Sequence, residues 1–280
     1  MDGARAFLAV GARPGLHPCS EYRTSLPMWR DVKRLYADGA AFALALPILF
    51  SIPVLIEFTQ HVVEIELGFY RHGLTAAAAF DQRRLTLGFA KVLALLLPGY
   101  WFVRFMAWNR DADRAKRIER PAATLFGVQF ALQAAWQWLM LFGPPIGIAL
   151  KLGPRLTNYA ELAATIGVSV VAVYLTAWLV AWPLGNSSIG PLRSVVIMTG
   201  SFWRTLAYLA AGALPLMALH YALGYGALGQ PEWLVWIMMT LDALVVGLLA
   251  LTTTGAAYLA ATHAATRKNI SLLDEPTAGA

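Results

Sequence analysis

The sequence predicts an all-α, polytopic membrane protein: six transmembrane helices, amphipathic interfacial helices beside them, and both termini on the cytoplasmic side. Three observations carry the prediction. Of 280 residues, 58% are hydrophobic and only 14% charged, with mean hydropathy +0.56; an ordinary soluble domain carries about 25% charged residues. The apolar residues are gathered into six blocks, each near the roughly 20 residues that cross a bilayer. The basic residues gather at alternate ends of those blocks, as the positive-inside rule requires.

The elements follow in order. Residues 1–27 are polar and contain no apolar core of signal-peptide length, so they read as a tail. Met28, which opens the six-span domain expected over 28–268, is an alternative start. "MWRDVKRLYADG" puts Trp29, Val32, Leu35 and Tyr36 on one helical face and Arg30, Lys33 and Arg34 towards the other, the pattern of a helix lying in the headgroup plane. The spans are expected near 40–60, 85–107, 122–142, 160–182, 203–224 and 232–260. Pro47 and Pro53 should kink the first, and Pro98-Gly99 marks a break in the second. The sixth is long enough to tilt or project. In the long connection between spans one and two, "LTAAAAFDQRRL" has the pattern of a short interfacial helix. Between spans four and five, Ser188 is a candidate cap, Pro191 suits a first turn, and "LRSVVIMTGSFWRTL" is amphipathic. Residues 269–280 read as a second tail.

Sixteen Lys and Arg fall on the side of the termini and six on the other. With six spans this places both termini in the cytoplasm. The net charge of +6 and pI near 9.6 therefore read as topology and headgroup contact, not as affinity for nucleic acid. The "RDADRAKRIER" connection reads as a solvated cytoplasmic loop. Seventeen of the 22 basic residues are Arg, and with abundant Ala and Gly this composition points to a bacterial inner membrane. Cys19 is the sole cysteine, which excludes an intramolecular disulfide and any cysteine-rich metal site.

The second amphipathic stretch, with Arg193 ahead of "SFWRTLAYLAAG" and then "LP", resembles bacterial six-helix membrane proteins of the YciC-like type and the membrane domain of some glycerophosphoryl diester phosphodiesterases. The close of span six, "TTTGAAYLAATHAA", is similar to the Ala- and Tyr-bearing end of those domains. The resemblance covers most of residues 28–268, by layout. It implies a fold and a membrane-associated role; the fused enzymes keep their chemistry in a separate soluble barrel, so it carries over no catalytic residues.

Ionisable residues within spans are costly, at least about 2.5–3.5 kcal/mol each near the centre. Six such residues form a candidate polar cavity towards the outer side: Glu57, His61, Glu64, Lys91, His220 and Asp242. Asp242 lies ten residues into span six and is expected to pair with Lys91 or with hydroxyls. Glu57, His61 and Glu64 share one helical face at i, i+4 and i, i+3 spacing, which reads first as the solvated lip of span one. A metal reading would need completion by His220 and Asp242, so no resident metal, cofactor or catalytic residue is assigned. Gln129, Gln133 and Gln137 form an i, i+4, i+8 stripe that should face other helices as polar glue. Phosphate-loop, dinucleotide, serine-hydrolase and zincin motifs are absent.

Three functional readings remain. The first is a non-enzymatic protein accompanying lipid or envelope processes, with the bilayer, a lipid ligand or a membrane-protein partner. The second is a small transporter around Asp242, which needs discontinuous helices at the site. The third is a membrane-embedded metal-dependent enzyme, which needs Glu57, His61 and a third ligand to converge on one point.

Overall fold

The computed structural model describes residues 28–72, 81–144 and 146–273. The tail expected over 1–27 lies outside the described residues, as does most of the helix expected around residues 74–85. Twelve helices and no strand occur among the described residues. Six helical segments are long and apolar enough to cross a membrane: 47–66, 82–107, 120–142, 155–181, 202–226 and 232–267. The chain is a multi-pass membrane protein.

Two of the hydrophobic runs are interrupted, at Leu46 before Pro47 and at Leu97–Pro98, whereas the helix runs on through Pro53. Helices α1 (Met28–Ala45) and α2 (Pro47–Glu66) meet at Leu46, whose φ of −131° and ψ of 57° leave the helical region. Pro47 lacks an N–H and its ring crowds the preceding turn, but as the first residue of α2 it costs nothing. A short α3 (Phe69–His72) follows a reversal at Gly68, φ 71°. The second span comprises α4 (Gln82–Leu96) and α5 (Gly99–Ala107), broken at Leu97–Pro98. Asp81 caps α4 by accepting from the backbone N–H groups of Arg84 and Arg83, which hold its carboxyl below its ordinary range. The 81–85 stretch therefore opens span two instead of closing a separate interfacial helix.

Next come α6 (Ala112–Lys116), α7 (Arg120–Phe142), α8 (Ile146–Ala149), α9 (Pro154–Ala181), α10 (Pro191–Met198), α11 (Phe202–Gly226) and α12 (Glu232–Arg267). At about 1.5 Å per residue, the 36 residues of α12 reach about 54 Å, well beyond a hydrocarbon core of about 30 Å. This helix is the axis of the bundle. Its buried face is rich in small residues, including Gly247, Ala250, Gly255, Ala256, Ala260, Ala261 and Ala264, which let neighbours approach closely. Gly212 of α11 is so near that a Cβ there would stand 2.6 Å from the Thr252 carbonyl oxygen and 2.7 Å from the Ala256 Cβ.

The expectation that α1 lies flat in the headgroup plane is corrected. Leu35 packs on Gly255, Gly39 lies beside Leu251 and Thr252, and Phe50 and Val54 lie over Gly247. Successive contacts step backwards along α12, so α1 and α2 together run antiparallel to it. Leu35 and Phe42 are fully buried, and Phe42 packs edge-on against Phe102 and Phe105 at 5.2 and 5.4 Å. The apolar face of α1 is spent on the bundle instead of on lipid headgroups.

The 110–120 connection is exposed over most of its length, as a solvated loop should be, with Ala115 buried and arginines anchoring its approach. Arg104 is fully buried, pairs with Glu119 at 2.6 Å and lies over the Trp108 ring at 4.1 Å. Arg110 reaches buried Asp38 at 2.6 Å, in a turn where Asn109 and Arg110 both have positive φ. Ser188 does not cap α10. Its hydroxyl donates to Asn186 Oδ1 at 2.6 Å, while Gly190 precedes the helix and Pro191 opens it. Gly200, φ 79°, separates α10 from α11, so the stretch read as one amphipathic helix is two segments. The region read as a tail from 269 remains packed through Leu273, with the Asn186 amide donating to the carbonyls of Ser271 and Leu273.

Candidate functional site

The polar residues predicted for the half of the bundle away from the basic end converge on one buried centre. On α2, Glu57, Gln60, His61 and Glu64 form a single buried face. Glu57 is 0%, His61 4% and Glu64 6% exposed, so the reading of this stretch as a solvated lip is overturned. The i, i+4 and i, i+3 spacing was sufficient to align them; what buries them is α4 on one side and α12 on the other.

The imidazole of His61 is central. Its Nε2 lies 2.9 Å from Asp242 Oδ2 of α12 and 3.4 Å from Glu57 Oε1. Its Nδ1 lies 3.2 Å from Glu64 Oε2 and 3.0 Å from the Tyr70 hydroxyl. Glu64 is saturated with donors: the Tyr70 hydroxyl donates to Oε2 at 3.0 Å, and Gln60 Nε2 and Arg84 Nε donate to Oε1 at 3.2 and 3.1 Å. Glu64 thus fixes the imidazole orientation in the manner of a carboxylate behind a working histidine. Burial, and then the facing Glu64 carboxylate, push the Tyr70 phenol far above its ordinary range, so it stays a donor.

Asp242 is fully buried and also meets His220 of α11, whose Nδ1 lies 2.8 Å from both carboxylate oxygens. The expected pairing of Asp242 with Lys91 is not what forms. Lys91 Nζ on α4 contacts Glu57, at 2.9 Å from Oε1 and 2.8 Å from Oε2. The rotation of α4 about its axis, which no single-helix pattern specifies, decides which acid the lysine meets. Ligand-type atoms of Glu57, His220 and Asp242 all lie within 4.8 Å of one another. Two members communicate with the surroundings: the His220 and Lys91 side chains are 21% and 23% exposed.

Sequence reasoning missed Tyr70, Arg84 and Gln60. Gln60 was legible in principle, one helical turn from Glu57 and Glu64. Tyr70 was not, because it arrives only through the reversal at Gly68, and its carbonyl is then held by the Gly229 N–H at 2.8 Å.

The glutamine stripe lies apart from this centre. Gln129 is buried and its Nε2 donates to the Leu179 carbonyl of α9 at 3.2 Å. That carbonyl has no intrahelical donor, because the residue four further on is Pro183. Gln133 and Gln137 are half-buried, and among the described residues no hydrogen bond joins either to another helix. The glue reading therefore holds at one of the three positions.

No family model matches the chain, and no solved structure matches it. Among curated proteins it is similar to an uncharacterised 38 kDa protein encoded in the 23S RNA operon of Thermoproteus tenax, with 29% identity over 157 residues. The match covers 51% of this chain and 39% of that protein, so the chain spans well under half the relative's length.

Proposed function

We propose that this six-span protein is a membrane-embedded enzyme whose working part is the Glu57–His61–Asp242–His220 centre, acting on a lipid-phase or amphiphilic substrate at one leaflet. One observation carries the reading: five helices deliver acids, bases and a phenol to a single buried network. Each of those groups is expensive in a bilayer, and all of them are gathered at one place. His61 is held at both ring nitrogens, one by Glu64 and Tyr70 and the other against Asp242 and Glu57, so its orientation within the centre is fixed. His220 and Lys91, the partly exposed members, give substrate its approach.

The transporter reading needs broken helix ends at the site. His61 lies fourteen residues beyond Pro47, about 21 Å along α2. The second break, at Leu97–Pro98, is also displaced, about 9 Å of helix from Lys91. The accessory reading would suit a bundle without a convergent polar centre. The excess of basic residues at the opposite end supports placing the centre in the outer half of a bacterial inner membrane, with both termini cytoplasmic.

The test is turnover in proteoliposomes made from a total bacterial lipid extract, followed by mass spectrometry of the lipid pool. Wild type should deplete one lipid class and accumulate its product, and His61→Ala should not, at equal reconstitution. An unchanged lipid pool over wild-type protein, with saturable uptake of an added solute, would overturn the enzyme in favour of transport.

A further inference from the structure

We infer that the centre is a binding site for one divalent first-row metal ion of the zinc class, held by His61 Nε2, Asp242, Glu57 and His220, with Glu64 and Tyr70 behind it. The inference stands on geometry and does not require the enzymatic reading.

When His61 Nδ1 carries its proton to Glu64, Nε2 presents a lone pair. It does so to Asp242 at 2.9 Å and Glu57 at 3.4 Å, and ionised carboxylates are acceptors only. Lys91 already meets Glu57 and His220 meets Asp242 at the rim, and a cation between the three facing acceptors would satisfy them together. A single proton satisfies one contact at a time, whereas a metal ion satisfies all. The His220 nitrogen, 2.8 Å from both Asp242 oxygens, lies with Glu57 and Asp242 in one group of ligand-type atoms and is placed to share the same ion.

The spacings agree. Ligand atoms about 2.1 Å from a tetrahedral zinc stand about 3.4 Å from one another. The Glu57, His220 and Asp242 atoms lie within 4.8 Å of each other, and the His61 contacts are 2.9 and 3.4 Å. Two imidazoles among the four donors favour zinc and its first-row neighbours over calcium or magnesium, which take oxygen. Two carboxylate charges balance the ion. Lys91 bridges both Glu57 oxygens, so on metal binding it keeps Oε2 and yields Oε1. The carboxylate–histidine–metal chain through Glu64 is the usual support of such sites, and Tyr70 and Arg84 fix that carboxylate in turn.

The experiment uses the full chain purified in detergent without chelators or an affinity tag. Metal content is measured by elemental analysis and native mass spectrometry, followed by zinc titration of chelator-stripped protein. One equivalent per chain is expected in wild type. His61→Ala and Asp242→Asn should each weaken zinc binding at least tenfold, and Glu64→Gln about tenfold through the supporting shell. Gln133→Ala, away from the centre, should match wild type. Helical circular dichroism and a monodisperse profile establish that each variant is folded. Wild type without saturable zinc binding would overturn the proposal, as would folded His61→Ala and Asp242→Asn variants that keep full affinity. Metal bound without lipid turnover would sink the enzyme and leave the site. His61-dependent turnover in metal-free protein would do the reverse.

Discussion

Replacing Gly212 by alanine should destabilise the bundle, whereas the same change at Gly224, twelve residues along the same helix, should not. A Cβ at Gly212 would stand 2.6 Å from a backbone oxygen of α12 and 2.7 Å from the Ala256 Cβ. Ordinary contact begins near 3.5 Å, so α11 and α12 would have to separate by almost an ångström or twist apart. The obstacle is backbone and a methyl group on a rigid helix, and neither can rotate away. Overpacking of this kind costs about 1–3 kcal/mol. At Gly224 a Cβ would meet nothing within 4 Å. Alanine there removes the conformational freedom of glycine and should stabilise by up to about 1 kcal/mol. The assay is reversible unfolding in mixed micelles of denaturing and mild detergent, read by circular dichroism. A Gly212→Ala variant as stable as wild type would refute the close approach of α11 and α12. A Gly224→Ala variant equally destabilised would show that the loss comes from backbone flexibility and not from packing.

Other consequences follow from single contacts. Gln129→Leu should cost about 0.6–2 kcal/mol in the same unfolding assay, because the Leu179 carbonyl then has no donor; Gln137→Leu should cost less. Tyr70 should not contribute to the tyrosinate absorbance that rises near pH 10 in folded protein, so wild type and Tyr70→Phe should titrate the same number of phenols until unfolding. In the unfolded chain the Tyr70 phenol ionises near pH 10, while in the folded chain it keeps its proton. Its contribution to stability is therefore whole below about pH 10 and falls as pH rises beyond it.

The six spans were legible because a run of about 20 apolar residues matches the thickness of a bilayer and seldom suits anything else. The breaks at Pro47 and Pro98 were legible because proline removes a ladder hydrogen bond, yet Pro53 and Pro215 stand inside helices that run on, so the surroundings decide which proline interrupts a span. The alignment of Glu57, His61 and Glu64 was legible because it depends on one helix alone. Their burial was not, since it depends on how α4, α11 and α12 are rotated and how deeply they pass. The same unknown gave Lys91 the wrong partner: its depth placed it near both acids, and only tertiary rotation selects Glu57 over Asp242. The amphipathic face of α1 was read correctly as a pattern but assigned to the wrong surface, because lipid headgroups and a glycine-lined helix accept the same stripe.

The axial position of α12 has a consequence for biogenesis. This helix is synthesised after the spans it packs against, chiefly α2, α9 and α11 and the α5 part of span two, and it alone supplies Asp242. Until it enters the bilayer, the grooves that receive Leu35, Val54 and Gly212 do not exist, and His61 has no partner on its Nε2 side beyond Glu57. Before that, Glu57 and Glu64 can already be met by Lys91 and Arg84 of the second span, while His220 and the Nε2 side of His61 still lack Asp242. Closure of the bundle and completion of its polar centre are one event, so a chain truncated before α12 should lack both.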